Sequence, residues 1–290
     1  MLSASVQAAT APRSVAVIGA GTMGAGIIYV FARAGWAVQV VEPAPAQIEK
    51  LHQTLASAAA DGIRRGKLSD TDAARITAAV HCVSDAAALP RRLDLAIETV
   101  PELPELKARV LRSLSGISID LVATNTSSLS IDSLAGAVDD PSRFLGMHFF
   151  NPVWSLPLVE VITGDRTSEA SVAAAREIAA SLDKQAIVVR NVPGFATSRL
   201  DLIASLEAIR MLEQGVASAE DIDRAATLAY RHPIGPLRLS DVVGLDVRLD
   251  IARHLHQALG DRFEPPRLLV DKVARGELGR KTGKGFYDWT

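Results

Sequence analysis

A single cysteine, Cys82, among 290 residues leaves no intrachain disulfide and no thiolate metal site. The six histidines show no His-Glu-x-x-His or His-x-x-Glu-His spacing, and His254 and His256, two apart, point to different sides of a helix. A catalytic metal is therefore not expected. There is no run of about 18 consecutive apolar residues, so no membrane-spanning helix is expected. Excess charge of one sign is missing too: the net charge is −2, which argues for neither a nucleic-acid nor a membrane-surface partner. Residues 1–13, MLSASVQAATAPR, lack the apolar stretch of a signal peptide, and their one arginine is thin support for a transit peptide. They read as the leader of a cytoplasmic protein. Repeats at solenoid periods and low-complexity linkers are also absent. What remains, 48% hydrophobic and 22% charged, is an ordinary globular composition with length for one large domain or two.

Ser14-Val-Ala-Val-Ile18 is a β-branched run that ends in Gly19-Ala-Gly-Thr-Met-Gly24. An apolar helical pattern follows through Ile27, Ile28, Val30 and Phe31, then a second strand, Ala37–Val41, ending on Glu42. Gly19 allows the tight turn, Gly21 lets backbone approach a pyrophosphate, and Gly24 lets helix and strand pack closely. The helix start at Thr22 and Met23 offers N–H groups and partial positive charge to phosphates. Glu42, 21 residues after Gly21, can accept from both ribose hydroxyls and would repel a 2′-phosphate, which favours NAD over NADP. A glycine turn serving packing alone is the competing reading. The full order of strand, turn, helix, strand and acid favours the dinucleotide.

His81–Val83, Leu93–Ile97 and Leu121–Thr124 read as further strands, alternating with helical stretches such as Leu103–Leu114. Between Glu42 and His81 lies a long insertion: a helix over 46–65, then a second of about ten residues capped by Ser69 in a Ser-x-x-Asp box. A bare crossover needs one helix, so this hairpin either extends a substrate cleft or covers the sheet edge. After Pro193 the pattern is helical, over Ser198–Gln214, Ser218–Tyr230, Ser240–Leu259 and Arg267–Arg275. The expected fold is α/β: a Rossmann-type doubly wound sheet with a helical-hairpin insertion, residues 1–192, then an all-helical domain, residues 193–290.

Gly146-Met-His-Phe-Phe-Asn-Pro152 places an imidazole inside an apolar run. Alone, it reads as a buried histidine satisfied by a backbone carbonyl. Yet if Phe144–Phe150 and Leu156–Ile162 are antiparallel neighbours, Glu160 comes opposite His148, with Trp154 midway. An unpaired carboxylate in Leu158-Val-Glu-Val-Ile162 would cost several kcal/mol, and His148 is placed to relieve it. A histidine so held has a fixed tautomer, as a general base requires. Asn125-Thr-Ser-Ser128 follows a strand at the carboxyl edge of the sheet, where such folds bind ligands. For Ser128 or Ser130 a helix-capping role is the preferred reading.

With these motifs in order, the chain from Val15 to Trp289 resembles the 3-hydroxyacyl-CoA dehydrogenase family, close to its short 3-hydroxybutyryl-CoA members. The resemblance is carried by Gly19–Gly26, Asn125-Thr-Ser-Ser-Leu129, His148-Phe-Phe-Asn-Pro152, Leu158-Val-Glu-Val161, Pro193-Gly-Phe195 and Gly283-Lys-Gly-Phe-Tyr287. It implies NAD as cofactor, an acyl-CoA substrate and a homodimer formed through the C-terminal domain. It also implies that His148 is the base for the 3-hydroxyl proton, that Glu160 orients it, and that Ser127 bonds the reacting oxygen. Asn151 would lie beside the nicotinamide ribose, with Glu102, Lys107 and the tail residue Lys281 touching the cofactor. Lys67 would meet the CoA phosphates, its alternative being a solvated surface charge. Lysine is scarce, seven of 31 basic residues, and three of the seven fall at these positions. One position departs: Ser198 stands where the family has an asparagine that helps hold the substrate oxygen. Serine is shorter and lacks the amide fork, which puts substrate orientation and choice in question.

Two other readings stay open on sequence. One is oxidation of another hydroxy acid on the same scaffold, such as gulonate, carnitine or a carrier-bound hydroxyacyl unit. The other is a non-catalytic NAD-binding or lens-type protein, against which an intact Ser127, His148 and Glu160 argue.

Overall fold

The computed structural model describes residues 13–289, so the leader assigned to residues 1–13 lies, Arg13 excepted, outside the described residues. The chain divides into two compact units between Asn191 and Val192.

The first unit is built on eight strands: β1 (Ser14–Ile18), β2 (Ala37–Val41), β3 (Val80–Val83), β4 (Arg92–Glu98), β5 (Ser118–Thr124), β6 (Phe144–Phe149), β7 (Leu158–Thr163) and β8 (Gln185–Arg190). They form one sheet in the order β3-β2-β1-β4-β5-β6-β7-β8. Every neighbouring pair is parallel except β6 with β7. Its helices are α1 (Thr22–Arg33), α2 (Pro45–Arg64), α3 (Asp70–Ala78), α4 (Pro104–Arg112), α5 (Ile131–Leu134) and α6 (Glu169–Ser181). Because β1 lies between β2 and β4, the strand order reverses there. A crevice must open at the carboxyl ends of β1 and β4.

Parallel strands are buried on both faces, which explains the unbroken apolar runs Val15–Ile18 in β1 and Leu95–Ile97 in β4. Alternate residues serve alternate layers: Val15, Val17, Leu95 and Ile97 pack with α1, while Ala16, Ile18 and Ala96 pack with Leu114 on the other side. Ile27, Ile28 and Phe31 of α1 are fully buried, worth about 1.5–3 kcal/mol each. The insertion is the expected hairpin. Leu51, Leu55 and Ala59 make the buried stripe of α2, and Ser69 and Asp72 form a reciprocal capping box at the start of α3. No helix among the described residues is long and apolar enough to cross a membrane.

Three features of the first unit differ from the sequence reading. The connection between β6 and β7 is longer than Asn151–Ser155, because β6 ends at Phe149 and β7 begins at Leu158. Ser130 does cap α5, accepting from the Ser133 N–H, whereas the Ser128 hydroxyl is given to Glu102. Residues 164–191, unassigned from sequence, hold α6 and β8. α6 is alanine-rich and β8 is a half-buried edge strand, so neither shows a strong apolar period.

The second unit is helical: α7 (Thr197–Glu213), α8 (Ala219–Ala229), α9 (Pro236–Val243), α10 (Leu245–Leu259) and α11 (Arg267–Ala274). A single helix over Ser240–Leu259 is not what forms. Gly244, at φ +107°, breaks the run into α9 and α10, in a backbone region that favours glycine. Ser198 does not open α7 either, since the N-cap is Ala196 and Ser198 sits inside the first turn. Ser218, by contrast, caps α8 through the Asp221 N–H.

Candidate active site

The glycine turn between β1 and α1 is held by its surroundings. Gly19 has φ +102°, its N–H donates to Val41, and its carbonyl accepts from the Thr99 hydroxyl at 2.8 Å. A Cβ on Gly24 would lie 2.1 Å from the Gly19 oxygen, so only glycine lets α1 sit this close to β1. A Cβ on Gly21 would meet nothing within 4 Å, because this stretch of backbone faces open space. α1 starts there with no side-chain cap and no acid in its first turn. Its N–H groups and partial positive charge therefore suit a diphosphate, and the residues present fit the nucleotide they imply. At the end of β2 the Glu42 carboxylate is fixed by the N–H groups of Ala20, at 3.1 Å, and Ala44, at 3.0 Å. It borders a cleft of about 660 Å³ together with Gly19, Gly21, Asp85 and Arg109. Gln47, which sequence reading missed, clamps the turn by donating to the Ala20 carbonyl.

A second cleft, of about 500 Å³, adjoins the turn. Gly21, Thr22, Met23, Glu102, Lys107, Asn125, Ser127, His148 and Asn151 all line it. Residues from four separate segments thus reach one space, because each lies at the end of a strand, in the loop after it or in the first turn of the next helix. β6 and β7 pair antiparallel with His148 opposite Glu160, and Nδ1 lies 2.8 Å from Glu160 Oε2. Glu160 is fully buried and His148 is 8% exposed. The Asn125 side chain accepts from the Phe149 N–H at 2.8 Å, pinning the end of β6 to the end of β5.

Glu102 organises the loop after β5. One of its carboxylate oxygens accepts from the Thr126 hydroxyl at 2.6 Å and from the N–H groups of Ser127 and Ser128 at 2.9 and 3.0 Å. The Ser127 hydroxyl is 3.3 Å from the same oxygen. Burial raises the Glu102 carboxyl, but the Thr126 hydrogen bond, the Lys107 charge and the Ser127 N–H together hold it below its ordinary range. Behind it lies an acid that sequence reading missed. Glu98, fully buried at the end of β4, accepts from Lys107 at 2.8 and 3.0 Å and from Thr124 at 2.6 Å. The Lys107 ammonium also donates to the Val100 carbonyl and lies 3.2 Å from Glu102. The available signal for Glu98 was an acid closing an apolar strand, as an acid inside one was for Glu160.

Lys67 borders a third cleft, of about 250 Å³, with Tyr29, Arg33, Arg65 and Trp154. The hairpin thus walls a cleft as well as covering the sheet. Lys281 and Ser198 belong to the second unit, where the Lys281 ammonium holds the Asp246 carboxylate at 2.6 Å. That hydrogen bond is the main reason the Asp246 carboxyl lies below its ordinary range.

Residues 14–192 match the family model described as 3-hydroxyacyl-CoA dehydrogenase, NAD binding domain, and residues 194–289 match the corresponding C-terminal domain. A 3-hydroxybutyryl-CoA dehydrogenase of Mycobacterium tuberculosis is 39% identical over 280 residues, covering 95% of this chain and 98% of its own. The mitochondrial hydroxyacyl-coenzyme A dehydrogenase of Sus scrofa is 34% identical over 286 residues, covering 96% and 91%. The crystal structure of (S)-3-hydroxybutyryl-CoA dehydrogenase from Ralstonia eutropha superposes with a TM-score of 0.92 at 38% identity, over 97% of this chain and all of the other. The glycine turn, the carboxyl-edge cleft and the helical second unit thus occur together along a full-length match, and the chain belongs to the 3-hydroxyacyl-CoA dehydrogenase family.

Proposed function

We propose that this protein interconverts short 3-hydroxyacyl-CoA and 3-ketoacyl-CoA thioesters with NAD. The observation that carries the reading is the His148–Glu160 pair, 2.8 Å apart, beside the same cleft as the Gly21–Met23 helix start. Bound NAD supplies the hydride acceptor in oxidation and, reduced, the donor in the reverse direction. A carboxylate can only accept, so the proton shared with Glu160 sits on Nδ1 and the Nε2 lone pair is the base for the 3-hydroxyl proton. Glu160 then stabilises the imidazolium that forms. The Ser127 hydroxyl turns its one proton from Glu102, 3.3 Å away, to the reacting oxygen, on a loop that Glu102 still holds through the Ser127 N–H.

Gly19, Gly21, Thr22, Met23 and Gly24 form the diphosphate cradle, and Glu42 receives the ribose hydroxyls. Asn151 and Glu102 wall the nicotinamide end. Lys107 shares that wall, but its ammonium is already shared among Glu98, Val100 and Glu102, which suits a role in holding Glu102. The family resemblance assigns Lys281 to the cofactor and Ser198 to substrate choice. A homodimer through that unit is supported by Leu200, Leu228 and Tyr230, which are 71, 74 and 77% exposed. Sedimentation as a monomer at micromolar concentration would count against it.

The test is NADH consumption with acetoacetyl-CoA, free acetoacetate and longer 3-ketoacyl-CoAs. Turnover of free acetoacetate at the acetoacetyl-CoA rate would overturn the thioester reading. In the same assay kcat/KM with NADH exceeds that with NADPH by about 10²-fold or more, because Glu42 bonds one ribose and repels the phosphate on the other. Equal values would show that Glu42 does not reach the ribose.

Lys67→Ala raises KM for acetoacetyl-CoA and leaves KM for NADH alone. The increase shrinks as salt is added, because Lys67 is exposed and its ion pair with a phosphate is screened. An unchanged KM would return Lys67 to the solvated surface.

A further inference from the structure

Lys184, directly before β8, is a buried lysine that the proposed chemistry leaves unused. It is 8% exposed, and among the described residues no carboxylate lies within ion-pair distance. Its ammonium donates instead to two main-chain carbonyls, Val153 at 2.6 Å and Leu156 at 2.7 Å. These bracket the turn in the β6–β7 connection in which the N–H groups of Ser155 and Leu156 both reach the Pro152 carbonyl. A buried charge is a costly way to hold a turn that an apolar side chain could have packed against. Burial, reinforced by the nearby Arg33 charge and opposed by Asp183, pushes the amine below its ordinary range.

The two residues between those carbonyls are Trp154 and Ser155, and both line the third cleft. Val153 is buried, and its side chain fills the space a Cβ on Gly26 would need. Trp154 is 43% exposed and meets Tyr29 of α1 edge-on, with ring centroids 5.9 Å apart. The backbone on either side of Trp154 sets where this partly exposed indole is carried. The same cleft is lined by three cationic side chains, Arg33, Arg65 and Lys67, and by one acid, Asp61.

Building on the acyl-CoA reading, we propose that Lys184 is a positioning residue for substrate recognition: its ammonium locks the backbone on either side of Trp154 and Ser155, so that the indole forms a fixed wall of the cleft that Arg65 and Lys67 also line. The ligand such a cleft takes is anionic with a flat hydrophobic portion, the chemistry of a nucleotide-bearing thioester. The cofactor cleft is spared, because Asn151 precedes the turn and β6 is anchored separately by Asn125.

The test compares wild type with Lys184→Met, Lys184→Gln, Lys184→Arg and Trp154→Ala. Methionine removes the donors at similar length, glutamine cannot reach both carbonyls, and arginine restores a long donor. Lys184→Met and Lys184→Gln are expected to raise KM for acetoacetyl-CoA about tenfold, with KM for NADH and kcat within about twofold and partial recovery in Lys184→Arg. Trp154→Ala, at an exposed site that tolerates truncation, raises the same KM. Acrylamide quenching of Trp154, taken as the difference from a Trp154→Phe background, rises in Lys184→Met and reads the same locking without turnover. Wild-type KM for acetoacetyl-CoA in a folded Met or Gln variant, or in Trp154→Ala, overturns the proposal, as does a quenching difference that does not move. Failure of the wild type to use acetoacetyl-CoA would instead sink the substrate reading, while the quenching comparison still decides the role of Lys184.

Discussion

Replacing His148 with alanine lowers kcat by about 10²–10⁴-fold, the usual contribution of a positioned general base. Cofactor affinity changes little, because the diphosphate cradle is made by Gly21, Thr22 and Met23 on a different segment. The truncation has a second cost. It takes the imidazole away from a fully buried Glu160, so the variant also loses thermal stability. His148→Asn separates the two effects, since it keeps a donor near Glu160 but carries no base. It is expected to be as slow as His148→Ala and to melt closer to wild type. The measurements are stopped-flow single turnover and NADH titration for each variant. Near-normal turnover in both would remove His148 from the chemistry.

Exchanging Glu160 for glutamine lowers kcat by about 10²-fold or more, although the side chain keeps its shape. The amide can still accept from Nδ1, so the ring can stay where it is. What disappears is the negative charge 2.8 Å from the imidazolium that forms as the 3-hydroxyl proton is taken. In a fully buried setting that charge is poorly screened, so its loss falls mainly on the transition state. KM for both substrates should therefore move far less than kcat. The deuterium isotope effect with labelled NADH should increase as the chemical step becomes limiting. If Glu160→Gln turns over like wild type, the glutamate is only a structural partner of the histidine.

Much of this site can be read directly from the chain, and the reason is local. The Gly19–Gly24 turn is legible because steric demands act on neighbours in sequence: Gly19 at positive φ, and Gly24 beneath the Gly19 carbonyl. The His148–Glu160 pair is legible because an antiparallel connection is symmetric about its midpoint. The register survives although both strands are shorter than their apolar runs suggest. Sterics between near neighbours carry the first, and the two-residue period of a strand carries the second.

The sequence by itself determined the strand–turn–helix–strand start, the acid after β2, the helical hairpin and the change to all-helical structure after Pro193. Each follows from backbone sterics or apolar spacing among near neighbours. Tertiary structure alone decided that Glu102 gathers Thr126, Ser127 and Ser128 from 24 to 26 residues away, that Glu98 holds Lys107, and that Lys184 clamps carbonyls 28 and 31 residues before it. It also decided that Gly244 would break a run that its apolar pattern would have continued. These depend on which strands the sheet order makes neighbours, and on where a buried polar group must find a partner once water is excluded. Spacing along the chain records neither.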